Sequence, residues 1–258
     1  MKTNVDYANN GNVRMDVGYH FKNKANSNNL YFLIVVCFAL FVVFTGCKKE
    51  EDKTPRIVMT TAASDVSIFL KGSGDIIIDW GDGESDTCTL TTWFGIYCRH
   101  SYSGSSEHTI KMTGNYTIST MYCFNNQLTS LDVSKNVTLE ILNCEDNQLK
   151  KLNVSGCTAL KLLHCEYNKL TSLDVSKNTV LVQLSCSHNQ LTSLDVSRNT
   201  ELWYLSCHNN QLNANALNTL FETLHSNAGW KFIYIGNNSG TYACDRNIAT
   251  KKGWTVKD

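Results

Sequence analysis

Hydrophobic residues recur with a period of 21 positions across the second half of the chain. Each unit carries the frame Leu-x-x-Leu-x-Cys-x-x-Asn-x-Leu, as at 139–149 and again at 202–212. The Leu-x-Cys alternation has the period of two that is typical of a strand with one buried face. Because so short a unit buries its apolar side only against copies of itself, the pattern predicts a solenoid of stacked parallel strands. The inward-pointing cysteines are Cys123, Cys144, Cys165, Cys186 and Cys207, and the asparagines after them are Asn126, Asn147, Asn168, Asn189 and Asn210.

This frame resembles the leucine-rich repeat family, with cysteine in place of the third leucine. The resemblance implies a parallel sheet on a concave face and an irregular or 3-10 convex side over 117–212. We expect the asparagines to lie inside the bend, with their amides paired to the backbone of neighbouring coils. A linear ladder of cysteines offers no tetrahedral cage, so we interpret them as buried thiols and predict no metal site.

The repeat pattern continues to the end of the chain in a modified form. The segment 213–226 has apolar residues at helical spacing, and the strand frame returns at 233–238 and again from Trp254. We therefore expect seven parallel strands in total and a C-terminal α/β cap over 213–258.

The N-terminus carries an uninterrupted apolar run at 30–46, which follows two lysines and ends at Cys47. The run predicts a signal peptide over 1–46. The sequence Phe-Thr-Gly-Cys at 44–47 resembles a lipoprotein box, which implies that Cys47 is acylated and anchors the chain to a membrane. The alternative is an uncleaved membrane anchor of 17 residues. The charged tether at 47–55 resembles the export tag of surface lipoproteins of Gram-negative bacteria, and so implies an outer-membrane, cell-surface location.

Between the tether and the repeats, 56–116 shows short apolar alternations, which predict strands at 57–60, 66–71, 75–79 and 108–113. The run DWGDGE at 79–84 and the triplet HSY at 100–102 resemble marks of polycystic-kidney-disease-type (PKD-type) β-sandwiches. The resemblance implies a small β-sandwich, which we expect to cap the N-terminal end of the solenoid. We interpret Gly-Asp-Gly as a tight turn in preference to a calcium site. Cys88 and Cys98 flank a predicted hairpin and are the disulfide candidate, because an exported compartment permits oxidation.

Composition narrows the function. The 258 residues include 23 basic and 23 acidic side chains, and no nucleic-acid motif is present, which argues against a nucleic-acid partner. A nucleophile elbow, a phosphate loop and a zinc-protease motif are also missing from the sequence. We therefore expect a monomer without enzymatic activity, cofactor or metal.

The x positions of the frame point out of the concave face and differ from repeat to repeat. They include aromatic residues suited to stacking on sugars or anchoring a protein, and a set of acids and histidines. The alternative is that the aromatic residues merely fill a β-rich surface. The candidate ligand-binding residues are Tyr122, Phe124, Glu145, His164, Glu166, Tyr167, His188, Trp203, Tyr204 and His208.

These observations favour a lipid-anchored adhesion or recognition module that binds a protein or glycan through the concave face. An alternative is an accessory or weakly catalytic glycan-processing protein that uses Glu145 and Glu166. A purely structural envelope protein is the third possibility.

Overall fold

The computed structural model describes residue 54, residues 56–104 and residues 106–258. The predicted signal peptide, the acylation site at Cys47 and nearly all of the predicted tether lie outside these residues. Within them, no helix combines the length and the apolar character needed to cross a membrane.

The N-terminal part of the described chain is built from antiparallel strands. The strands are β1 (Ile57–Thr61), β2 (Asp65–Asp79), β3 (Ser85–Leu90), β4 (Ile96–Ser101), β5 (His108–Thr113), β6 (Tyr116–Tyr122) and β7 (Leu128–Asp132). The long strand β2 pairs with β3, β4, β5 and β6, and β1 pairs with β5 and β7. Hydrogen bonds thus join these strands to the solenoid in one sheet, and the two-sheet PKD-type sandwich stays a prediction.

The two strands expected at 66–71 and 75–79 are one strand, β2, and that prediction was wrong. A polar turn was expected between them, but the pairing of β2 with β6 continues through 72–74. A Cβ on Gly72 would lie 1.9 Å from the carbonyl oxygen of Thr117 on β6. Glycine is therefore needed here because the two backbones approach too closely for a side chain. Strand β3 was missed because all but one of its residues are exposed or half-buried, so it lacks the apolar alternation.

Seven parallel strands form the solenoid in the described residues, in agreement with the repeat spacing. After β6 they are β8 (Ile141–Asn143), β9 (Leu162–His164), β10 (Gln183–Ser185), β11 (Tyr204–Ser206), β12 (Lys231–Tyr234) and β13 (Trp254–Lys257). Equivalent frame positions lie side by side, so that Leu163 is paired with Leu142 on one side and Leu184 on the other. The predicted domain boundary between 116 and 117 falls at the first residue of β6.

The helix predicted after the last regular repeat is present as α1 (Ala214–Thr223). The side chain of Asn213 caps it by accepting a hydrogen bond from the backbone N–H of Ala216, and its apolar face buries Leu217, Leu220 and Phe221. A second helix, α2 (Asn247–Thr250), is a single turn. It is too short to show an apolar periodicity in the sequence.

The core runs the length of the repeats. All five ladder cysteines are fully buried, as predicted, together with the leucines of the frame and valines of the convex half such as Val175. Strand β7 occupies the convex half of the first repeat, and turns make up most of that side in the following repeats.

The frame asparagines tie each coil to its neighbour, which confirms the expected pairing. The side-chain amide of Asn168 donates to the carbonyl oxygens of Cys144 in the preceding coil and Cys165 in its own coil. Its Oδ1 accepts from the backbone N–H of Leu149 at 2.9 Å. Sequence reasoning missed a second, convex ladder of buried asparagines that bond to neighbouring turns, formed by Asn136, Asn178 and Asn199.

Candidate ligand-binding face

The constant register of the solenoid aligns outward-facing side chains in rows across the concave sheet. One row consists of Tyr122, Asn143, His164, Ser185, Ser206 and Tyr234. The next row consists of Thr120, Ile141, Leu162, Gln183, Tyr204 and Phe232. The short members Thr120, Ser185 and Ser206 are buried despite facing outward, so the longer side chains make up the accessible surface.

An open hollow of about 500 Å³ occupies the C-terminal half of this face, and we call it the C-terminal hollow. Rings form its wall: the centroid of Tyr204 lies 6.0 Å from that of Trp203 and 5.5 Å from that of Tyr234. Its lining residues are His164, Glu166, Gln183, Ser185, Trp203, Tyr204, Phe232 and Tyr234.

Phe232 and Tyr234 were not among the residues expected from the sequence. The signal for them was present, because Ile233 and Ile235 are buried and their neighbours must then face outward.

A carboxylate with an unused acceptor lies in the same hollow. The side chain of Glu166 is only 15% exposed, and its Oε1 lies 3.5 Å from Nδ1 of His164. Its Oε2 is buried and has no hydrogen-bond partner. The hydrogen bond to Glu166 raises the pKa of His164, although burial acts in the opposite direction. The pair therefore presents a buried acceptor beside aromatic rings.

Three other predicted side chains form a second cluster at the carboxyl ends of the strands. The rings of Tyr167 and His188 stack with centroids 4.1 Å apart, and His208 meets His188 edge-on at 5.2 Å. Burial, followed by the charge of His188, lowers the pKa of His208. Glu145 lies apart from this cluster and accepts a hydrogen bond from the side-chain amide of Asn143 at 3.3 Å.

The backbone at Tyr167 and His188 is left-handed, with φ of 51° and 52°. Every residue that precedes a frame asparagine in this ladder has the same conformation, which favours Gly, Asn, Asp and, to a lesser degree, His. The equivalent positions in the other coils are Asn125, Asp146, Asn209 and Asn237.

Tyr122 and Phe124 are the aromatic pair at the opposite end of the repeats from Trp203 and Tyr204. They line a separate cleft of about 250 Å³ at the N-terminal end of the face. The two aromatic pairs therefore share a face but not a pocket.

The cysteines proposed as a disulfide, Cys88 and Cys98, are free thiols in the structure. Burial and the adjacent Cys88 thiol raise the pKa of Cys98 to about 12. Because the two thiols lie close enough to interact, the disulfide between Cys88 and Cys98 stays a prediction. In the described part of the chain, no group of three or more His, Cys, Asp or Glu side chains is arranged to hold a metal ion.

The residues of the DWGDGE and HSY motifs come together. Nε2 of His100 lies 2.7 Å from Oδ2 of Asp82, and its ring stacks on Trp80 at 4.9 Å. The hydroxyl of Tyr102 donates to the carbonyl oxygen of Trp80 at 2.8 Å. These contacts tie the Gly-Asp-Gly turn to β4.

No protein-family model matches this chain, and no curated protein matches it. Among solved structures, the functional domain of InlJ from Listeria monocytogenes, which includes a cysteine ladder, is 27% identical. The match covers 52% of this chain and 37% of that one, with a TM-score of 0.29. An internalin, InlF, also from Listeria monocytogenes, is 18% identical over 46% of this chain and 42% of that one, with a TM-score of 0.35. This chain spans less than half the length of either protein.

The assignment of a leucine-rich repeat solenoid therefore rests on the repeat frame and on the seven stacked strands themselves.

Proposed function

We propose that this chain is a lipid-anchored binding protein of the cell surface that recognises a protein or glycan ligand through its concave face. The observation that carries the proposal is the open C-terminal hollow with its aromatic wall. The largely buried carboxylate of Glu166 lines this hollow and adds a polar group to it. The rings of Trp203, Tyr204 and Tyr234 around it supply the contact area that dominates binding energies.

Anchoring is supported by the sequence alone, through the apolar run that ends at Cys47. We favour binding over glycan hydrolysis because the hollow is open and the sequence holds none of the catalytic motifs sought above. The N-terminal strands and the segment after Leu212 are proposed as caps. In support, β1 pairs with β7, and the backbone N–H of Gly240 donates to the carbonyl oxygen of Leu212.

The test is an array of glycans and host proteins probed with the purified protein and its variants. Tyr204→Ala is expected to weaken binding by about 1–2 kcal/mol, or about 5- to 30-fold, because it removes an anchoring ring. The convex variant Lys177→Glu is the matched control and should bind like the wild type. Melting temperatures should stay close to the wild-type value for both variants.

Binding without turnover supports the proposal, whereas turnover of a bound glycan favours the weak hydrolase. If nothing binds, the structural role is favoured. The proposal also fails if binding survives Tyr204→Ala and is lost on substitution of Asp82 without a change in melting temperature, because the site would then lie among the N-terminal strands.

A further inference from the structure

The concave face does not end at the first solenoid strand. Strand β6 pairs in parallel with β8 on one side and antiparallel with β2 on the other. In this register Phe69 lies beside Tyr122, and Tyr97 of β4 lies beside Phe69. The row of outward-facing side chains described above therefore continues onto β2 and β4.

The added positions are aromatic. The ring of Phe69 stacks on Tyr122 with centroids 5.1 Å apart and an interplanar angle of 20°. Tyr97 packs on the other side of Phe69, also at 5.1 Å, with a tilt of 60°. Three rings on three neighbouring strands thus form one continuous apolar platform, whose surface includes ring edges because the faces of Phe69 and Tyr122 meet each other.

This platform lines the N-terminal cleft, together with Phe124. Tyr97 and Phe124 are 55% and 43% exposed, so a ligand can reach them. Gly95 in the β3–β4 loop fixes the ring of Phe69, because a Cβ on Gly95 would lie 2.0 Å from its Cζ. The loop can close against the ring only without a side chain at this position.

Charged groups flank the rings. The carboxylate of Asp65 accepts hydrogen bonds from the hydroxyls of Ser64 and Ser101, and these bonds lower its pKa. The guanidinium of Arg99 lies 4.8 Å from the centre of the Tyr97 ring. Ring edges and the exposed ring of Phe124, beside a carboxylate and a guanidinium, suit a pyranose, whose C–H groups pack on the rings while its hydroxyls bond to the charged groups.

The N-terminal cleft and the C-terminal hollow together span a length that suits a polymer. Five strand steps separate Tyr122 on β6 from Tyr234 on β12, which is about 24 Å at ~4.8 Å per step. Between the lining residues of the two sites lies β8, which presents Asn143 in this row and Ile141 in the next. The whole row is therefore a track with an aromatic site at each end.

A glycan fits this track better than an extended peptide does. Peptides that bind sheets as added strands take their affinity from main-chain hydrogen bonds at an open edge. On this face the strand backbones already pair with one another, and only side chains are offered.

We propose that the N-terminal cleft is a second subsite and that one linear glycan bridges it and the C-terminal hollow. The bridging rests on the proposed function of the C-terminal hollow, whereas binding in the cleft does not. Joining two weak sites through one chain raises the affinity by about 100-fold or more, provided that the chain spans both sites.

The test compares short and long members of four series of linear oligosaccharides, by calorimetry with the purified protein. The probes contain about two or about eight units of β-1,4-glucose, β-1,4-N-acetylglucosamine, β-1,4-xylose or α-1,4-glucose, so that only the long ones span both sites. In at least one series, the long probe should bind about 100-fold more tightly than the short one. The double variant Tyr97→Ala/Phe124→Ala should lower the affinity for the long probe at least about 10-fold and leave short-probe binding at the other hollow. Tyr242→Ala, which removes a 92% exposed ring outside both hollows, is the matched control and should change neither affinity.

The outcomes separate the two proposals. If the double variant binds the long probe like the wild type, bridging is wrong and the C-terminal hollow can still be the ligand site. If Tyr204→Ala changes nothing and the double variant loses all binding, the proposed function of the C-terminal hollow is wrong and the cleft stands. If no probe of either length binds in any series, the glycan inference is overturned.

Discussion

We expect the hydrogen bonds of the frame asparagines to contribute strongly to holding the coils together. Substituting Asn168 by alanine removes the acceptor of the Leu149 backbone N–H. It also removes the donor to the carbonyl oxygens of Cys144 and Cys165, at 2.9 Å and 3.2 Å. All of these bonds are buried, so water does not replace them.

The size of the effect follows from the backbone groups that lose a hydrogen-bond partner. The Leu149 N–H has no other partner among the hydrogen bonds of the described residues, and an orphaned buried donor costs about 1–3 kcal/mol. The Cys144 carbonyl oxygen loses the hydrogen bond from Asn168 but keeps the one from Asn147, so it is not left unpaired. We therefore expect Asn168→Ala to lower the free energy of unfolding by about 2–4 kcal/mol, a large share of the 5–15 kcal/mol typical of domains.

Urea unfolding followed by circular dichroism measures this difference, and the chain offers two controls. Asn178 in the convex ladder donates to two carbonyls, but its Oδ1 has no partner, so Asn178→Ala orphans no N–H. It should cost about 1–2 kcal/mol, and Lys169→Ala on the exposed side less than about 0.5 kcal/mol. If Asn168→Ala is no more destabilising than Asn178→Ala, the bond to Leu149 does not hold the coils together as argued.

Two further predictions concern titrating groups. Burial raises the pKa of all five ladder thiols, to about 12 for Cys123 and Cys207, so among the described cysteines of the reduced protein a maleimide at neutral pH should modify half-buried Cys88 and Cys244 first. Rapid modification of the whole ladder in the native protein would contradict its inward orientation. Glu166 raises the pKa of His164 above 6.5, so this pair stabilises the fold fully below that pH and loses its effect as the pH rises through the folded-state pKa. Melting temperatures across this pH range should show His164→Gln losing most relative to wild type on the acid side; a deficit that grows with pH would refute the sign.

The solenoid was predictable because one frame repeats without slippage. Each copy of the Leu-x-Cys alternation fixes which side chains point inward, and the constant spacing fixes the register between strands. The N-terminal strands have no repeated frame that would indicate their register. Gly72 lies where a polar turn was expected, and only the approach of β6 shows why glycine stands inside a strand there.

The candidate site was predictable only where the repeats supply it. His164, Glu166 and Tyr204 follow from the frame, and they do line one hollow. Phe69 and Tyr97 lie more than fifty positions before His164 and share no motif with it. They join the same face through the antiparallel pairing of β2 with β4 and β6, a register that no local pattern encodes. The N-terminal cleft can therefore be recognised only once the pairing of these strands is known.

The left-handed positions before the frame asparagines show which residues the scaffold itself favours there. Four of these six positions hold Asn or Asp, the residues that tolerate this backbone best after glycine. His188 also belongs to a residue type enriched in this conformation, so Tyr167 is the one clear exception, and its left-handed backbone costs about 1–2 kcal/mol. Its stacking on His188 returns about 0.5–1.5 kcal/mol and so offsets much of that cost. The scaffold therefore accommodates Tyr167 at little net cost in stability without requiring a ring at this position.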